Sequence, residues 1–337
     1  MADFETRFLA DRIDNIKVEK PVYVTGLARA GTTITLELLS KAQSIVSHHY
    51  HDFPFVFTPY WWNTTFKLMP KKPMQQEERL HDDGIKVSAN SPEAIEEVLW
   101  MAFFNFLHNP SVSNVLSGDT ANPKFEQVYA DHIKKLLLVN DGNRYIAKGN
   151  YNISRLAYLK KIHPDALFVI LIRNPADHIA SLIRQHRIFT KVETNNPLAL
   201  KHMRKIGHYE FGKDLRPINF GDVHATGSVI ELWNEGQEIR GWARYWSQVY
   251  DHVNTVLQQD KRLQNATLVI SHQKLCVDPM GTYRDLFNHC QFTQTNEACD
   301  IATTILGRTK SYSMMLSKED QLIISEETSK TASIFDV

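Results

Sequence analysis

The chain has 337 residues, 43% of them hydrophobic, and its 38 Lys and Arg balance 38 Asp and Glu. That length supports a large core, and the lack of a basic excess argues against a nucleic-acid partner, which normally meets a positive footprint. The first residues hold no continuous apolar run, no stretch has bilayer-spanning length, and the cysteines Cys276, Cys290 and Cys299 lack CxxC spacing, so the expectation is a cytoplasmic protein with reduced thiols and no transmembrane segment.

Met1 to Lys20 reads as a polar amphipathic helix. The stretch Val22-Tyr-Val-Thr-Gly-Leu-Ala-Arg-Ala-Gly-Thr-Thr33 then reads as a buried strand, a glycine-bounded turn and the start of a helix running to about Ala42. Such a turn aims several backbone N–H groups at one point, at the positive end of a helix, and phosphate is the usual occupant. Its Gly-x4-Gly-x-Thr spacing is close to a nucleotide P-loop. Thr32, however, stands where a P-loop carries Lys, and a cation, Arg29, lies inside the loop. Ser44 to Ser47 is a short β-like run. His48 to Trp62, rich in aromatics and broken by Pro54 and Pro59, reads as a loop, and Lys67 to Asn90 as an exposed excursion. Ser91-Pro-Glu-Ala has the form of a helix start. Helices are expected from Pro123 to Val139 and from Ser154 to Ile162, with a strand at Arg144 to Lys148 between them.

Ala166 to Ile172 is the strongest strand, apolar at every position as a central parallel strand covered on both faces should be. It ends in Arg173-Asn-Pro175, and a helix follows through Ser181 to about Arg187. The many Gly and Pro residues between Phe189 and Gln237 suggest a loop-rich insertion. Beyond it come a helix from Ile239 to about Gln258, a strand at Ala266 to Ile270, helices at Asp278 to His289 and Asn296 to Leu306, and a helix candidate after Ser317. Strand–helix alternation of this kind points to a single α/β domain over residues 1–337.

Ligands of open α/β sheets bind beyond the carboxyl ends of the strands. A P-loop kinase needs an acidic residue at such an end to hold Mg²⁺. Here the strand ends in Arg173, and Ser181 follows two helical turns on. With the helix-start N–H groups they make a second anion site. Two phosphate-sized sites, each with an arginine and neither with a metal-binding acid, are therefore expected. The His48/His49/His51 cluster has no second cluster of ligand spacing to support a metal site.

Gly26-Leu-Ala-Arg-Ala-Gly-Thr-Thr33 resembles the 5′-phosphosulfate loop of sulfotransferases that use 3′-phosphoadenosine 5′-phosphosulfate (PAPS), which in the Golgi-type and bacterial branch reads roughly G-x-P-R-S-G-T-[ST]. Arg173 with Ser181 is similar to that family's R-[DN]-P-x5-S element, which grips the 3′-phosphate. Tyr145-Ile-Ala-Lys148, followed by Arg155-Leu-Ala-Tyr-Leu, resembles the tyrosylprotein-sulfotransferase-like branch, where a Lys at this place contacts the transferring sulfuryl group. Ser271-His-Gln-Lys-Leu-Cys-Val-Asp-Pro279 is similar to the family's Y-E-D-L-x-x-D-P turn. Ala28 and Ala30 depart from the usual Pro and Ser.

The resemblance implies a P-loop-like three-layer fold, with a central parallel sheet and helices on both faces. It implies PAPS as donor, adenosine 3′,5′-bisphosphate as product and no metal. The cofactor-binding residues would be Arg29, Ala30, Gly31, Thr32, Thr33, Arg173 and Ser181, with Arg29 and Lys148 neutralising charge during transfer. Related enzymes place a base after the second strand, which here makes Asp52 the first candidate and His48 the second. The acceptor would be a hydroxyl or amine on a carbohydrate, lipid or small metabolite. Ser313 and Ser317 lie in a tail that folds over the nucleotide in the related branch. The alternatives are a P-loop kinase of a small metabolite and a non-catalytic nucleotide-binding protein on the same fold.

Overall fold

The computed structural model describes residues 1–70, 77–78, 86–304, 314 and 316–337. A short helix α1 (Ala2–Phe8) and a further turn at Ala10–Ile13 lead into strand β1 (Val22–Thr25), and helix α2 (Thr32–Leu39) follows the glycine loop. Next come β2 (Ile45–Val46), α3 (Pro59–Leu68), α4 (Glu97–Phe103), α5 (Pro123–Asn140), β3 (Arg144–Lys148), α6 (Leu156–Ile162) and β4 (Leu167–Ile172). The chain continues through α7 (Pro175–Asn195), α8 (Pro197–Ile206), α9 (Val223–Asn234), α10 (Glu238–Gln259) and β5 (Thr267–Ser271). It ends in α11 (His272–Val277), α12 (Pro279–Cys290), α13 (Asn296–Thr304) and α14 (Lys318–Ile334).

Among the described residues these five strands form one sheet in the order β2-β3-β1-β4-β5, and every pairing is parallel. Alternate strand residues point to opposite faces, and the two cores follow this alternation. Tyr23, Ala147, Phe168, Ile170 and Ile172 belong to one hydrophobic cluster. Val22, Val24, Ile146, Val169 and Leu171 belong to the other. A sheet buried on both faces requires helices on both, so the three-layer expectation holds. On the first face α10 buries Trp242, Tyr245, Trp246, Val249, Tyr250 and Val253 at helical spacing. On it lies α14, whose Glu327 accepts from Arg240 and Arg244.

Several boundaries differ from the sequence reading. Pro59 opens α3 instead of breaking a loop, because its fixed φ and missing N–H suit the first helical turn. Ser91 does not cap a helix. The chain there stays extended against His48 and His49, with Glu93 N donating to His48 O (2.9 Å) and a bridge between His49 and Pro92, and α4 begins only at Glu97. The segment expected to be a loop-rich insertion is largely helical. It contains the end of α7, all of α8 and all of α9, and most of the irregular backbone lies between α8 and α9. Most of the excursion between Lys67 and Asn90, and Ser313, lie outside the described residues. Ser317 caps α14, with its side chain accepting from Asp320 N.

Candidate active site

The glycine loop leaves β1 at its carboxyl end with three positive φ angles: Gly26 at 148°, Arg29 at 73° and Gly31 at 104°. Gly26 is required by contact as well as by dihedral, since a Cβ there would lie 2.4 Å from Leu171 O. Gly31 is the N-cap of α2, and no side chain caps that helix end. Its first-turn N–H groups therefore face the loop without a protein acceptor from a cap. Thr32 is buried and its hydroxyl donates to Asn150 Oδ1 (3.1 Å), while Thr33 is half-buried one residue on. Ala30 is fully buried and its N–H closes a turn onto Leu27 O (3.1 Å). Its amide thus closes the turn inside the loop.

Sheet register carries the other cations to this loop. Lys148 pairs with Val24, one residue short of the end of β1, and Gly149 N donates to Val24 O (3.1 Å). The Lys148 ammonium lies 3.6 Å from a carboxylate oxygen of Glu93. On the other side of β1, Arg173 follows β4 directly and is buried. Arg29 Nε donates to Ser181 Oγ (3.2 Å), so the two motifs, far apart in sequence, meet through their side chains. The helix-start N–H groups of α7 do not join them. Asn174 Oδ1 accepts from Ala176 N and Asp177 N, which caps the helix internally.

Two histidines near this loop escaped the sequence reading. His178 is fully buried on α7. Trp246 Nε1–H donates to its Nδ1 (3.1 Å), which leaves the proton on Nε2, and Nε2 donates to Ala28 O (2.8 Å). Burial lowers its pKa to about 3, so the ring is neutral and ties α7 to the loop. His272 begins α11 and packs against Gly31, where a Cβ would come to 3.0 Å from its ring. Burial, with Arg173 and Arg29 nearby, lowers its pKa to about 4. His178 sits inside the quoted second motif and His272 directly follows a strand, so both had a positional signal.

His48 and Asp52 are together but inside the protein. His48 is 2% and Asp52 1% exposed. His48 Nδ1 donates to Asp52 Oδ2 (3.0 Å), and its Nε2 shares a proton with His132 Nε2 (2.9 Å). Asp52 also accepts from His49 N (2.9 Å) and Asn63 Nδ2 (2.7 Å). Burial alone would raise the Asp52 pKa, but the bonds from His48, His49 and Asn63 hold it far below the usual carboxylate range. The pair fastens the turn after β2, and its bonds account for both side chains as structural groups.

The region from residue 21 to 211 matches the model of the sulfotransferase family, more than half of the chain. The chain belongs to that family. As a sulfotransferase it resembles two solved bacterial structures in fold. STF1 from Mycobacterium tuberculosis H37Rv shares 15% identity at a TM-score of 0.52, with 98% of this chain and 81% of that one covered. STF9 from Mycobacterium avium shares 13% identity at a TM-score of 0.53, with 99% and 81% covered. No curated protein matches it in sequence. The family match sets aside the kinase alternative. Among the described residues, no helix of this sulfotransferase is long and apolar enough to cross a membrane.

Proposed function

We propose that this sulfotransferase takes its sulfuryl group from PAPS, passes it to a hydroxyl-bearing acceptor and releases adenosine 3′,5′-bisphosphate. The observation that carries the reading is the Arg29–Ser181 bond, which joins a phosphosulfate-type loop to a 3′-phosphate-type element. The residues fit such a nucleotide: the loop has no room for a Cβ at Gly26, the α2 terminus lacks a side-chain cap, and cations stand in the loop itself (Arg29) and at the ends of the strands on both sides of β1 (Lys148 and Arg173). Bound PAPS supplies a sulfuryl group already attached to a phosphate leaving group.

In this reading Arg29, Gly31, Thr32 and Thr33 bind the 5′ end, and Arg173 with Ser181 binds the 3′-phosphate. Lys148 orients toward the same end of the sheet and offsets charge on the peripheral oxygens, as fixed cations do in phosphoryl transfer. The acceptor carries a hydroxyl or amine on a carbohydrate, lipid or small metabolite. The cytoplasm is part of the proposal, on the cysteine pattern, and so is treatment of residues 1–337 as one domain.

Calorimetric titration with adenosine 3′,5′-bisphosphate in the presence of EDTA is expected to give saturable binding. No binding, or binding only with Mg²⁺, overturns the reading. Arg173→Ala is expected to weaken that binding by about 10- to 100-fold, the value of a lost charge-assisted hydrogen bond. Arg29→Ala is expected to abolish transfer from PAPS.

A further inference from the structure

The chain is neutral as a whole, but its charge is unevenly spread. From Arg184 to Arg216 it carries eight Lys and Arg against three acids, Glu193, Glu210 and Asp214. Burial sharpens the imbalance. Arg187, Lys191, Lys201, Arg204, Lys205 and Lys213 are exposed, and none of the three acids is. Each acid also has a partner of its own. Glu193 accepts from Lys213 N (2.6 Å), Glu210 from Asn150 Nδ2 (2.6 Å) and Asp214 from Arg204 Nη2 (3.0 Å). Lys191, Lys201, Lys205 and Lys213 have no acidic partner among the described residues.

Helix α8 lies at the centre of this surface. None of its ten residues is buried, and Met203 packs it against the core. The opposite stripe carries Leu198, Lys201 and Lys205, which fall on one face at i, i+3 and i+7. All three are exposed, Leu198 to 74%. A purely apolar partner would strand the ammonium groups without water or a counter-charge. An acidic protein or a soluble polyanion would meet the lysines but gain little from the leucine. A phospholipid boundary suits both, because the apolar side chain enters the acyl region while the ammonium groups meet phosphate.

An open groove of about 370 Å³ adjoins the stripe, and Thr190, Lys191, Thr194 and Asn195 are among the residues that line it. Asn195 is three residues from Leu198, so no more than about 11 Å separates their Cα atoms. Thr190 Oγ1 is buried and has no hydrogen-bond partner. The acid in the groove, Glu238, is bonded by Arg187 (2.6 Å). A lysine, two hydroxyls and an amide in a groove of this size fit a phosphodiester headgroup.

We propose that α8 and the end of α7 dock this sulfotransferase on an anionic phospholipid surface, with Leu198 inserted among headgroups held by Lys191, Lys201 and Lys205. The helix lies on the bilayer and does not cross it.

The test is co-sedimentation of the full chain with vesicles of phosphatidylglycerol and phosphatidylcholine in equal parts, at low ionic strength. Saturable binding is expected. It should weaken steeply as salt is added and be at least about tenfold weaker on pure phosphatidylcholine. Lys201→Gln combined with Lys205→Gln is expected to weaken binding about 25-fold, about fivefold for each cation taken from the anionic surface. Leu198→Ser keeps every charge and is expected to weaken it at least about fivefold. Absence of binding to the mixed vesicles, equal binding to pure phosphatidylcholine, or a loss under about twofold in the double variant overturns the proposal. A loss under about twofold in Leu198→Ser also overturns it and assigns the lysines to a polyanion in solution.

Discussion

At the residue scale, the glycine loop depends on contacts that no other side chain satisfies. Gly26 sits at φ 148° with Leu171 O only 2.4 Å from where a Cβ would be, and that same carbonyl accepts from Tyr250 OH (2.9 Å). Movement of β4 to relieve the clash would break this bond and disturb Arg173 two residues on. Gly26→Ala is accordingly expected to cost more than about 2 kcal/mol, read as a lower urea midpoint. A midpoint equal to the wild type would show that the loop yields at no cost. His178 acts at the same scale from the other side. Its Nε2–H fixes the Ala28 carbonyl in a loop where Ala replaces the stiffer Pro of the resembling motif. His178→Phe leaves that carbonyl and the Trp246 N–H without partners, and a loss of about 1–3 kcal/mol is expected.

At the element scale, α7 carries both the second anion motif and the support for the first. Asn174 caps it, His178 reaches the loop, and Ser181 reaches Arg29. Because the cap is internal, Asn174→Ala should lower stability by about 1 kcal/mol while bisphosphate affinity, followed by calorimetry, stays within about threefold. A large loss of affinity with unchanged stability would instead assign Asn174 to the nucleotide. The length of α7 and the helix after it were legible in part. Asn196-Pro197 and Asp222-Val223 are good helix starts, and Asn196 and Asp222 do cap α8 and α9. Glycines and prolines between them suggested irregularity throughout, yet Gly207 only closes α8 in a left-handed C-cap, at φ 75°. Gly and Pro mark breaks between helices here, and each helix between the breaks carries its own cap.

Across the whole molecule, burial of neutral histidines sets the response to acid. Desolvation by burial lowers His178 to about 3 and His163, His252 and His272 to about 4, against 6.5 for the exposed group. The unfolded chain therefore binds more protons in this range, so stability is full above about pH 6.5 and falls as pH drops toward 4 and then 3. Glu97 adds a lower window. Burial raises its pKa, but Arg155 and His108 more than offset this and hold it at about 2, so its contribution is lost as pH falls from 4.5 through 2. Melting temperature followed by circular dichroism from pH 7 to pH 3 should fall throughout, and a flat profile between 6.5 and 4 would contradict the buried-neutral assignment. Arg155 itself is 1% exposed and bonds Glu97 twice, at 2.8 and 2.7 Å. Arg155→Ala strands that carboxylate and is expected to cost about 3–5 kcal/mol.

The sequence by itself determined the parallel sheet, the anion loop after β1 and the arginine at the end of β4. Each is written in local chemistry: an unbroken apolar run, glycines at positive φ, a charged residue where the run stops. That Arg29 bonds Ser181 across the two motifs was not legible, because it depends on β4 lying beside β1 and on α7 docking over the loop. Tertiary structure alone decided which carboxylate stands beside the loop. Asp52 follows β2 as the resemblance suggested, but His48, His49 and Asn63 fold over it and seal it. Glu210 comes from an irregular stretch between two helices, and only packing brings it to Asn150, the partner of Thr32. A side chain's neighbours across the fold depend on how helices dock, and that docking is set by the whole core rather than by residues near it in sequence. The Arg29 loop was therefore legible as an anion site, while the chemistry that faces it had to be read from the folded chain.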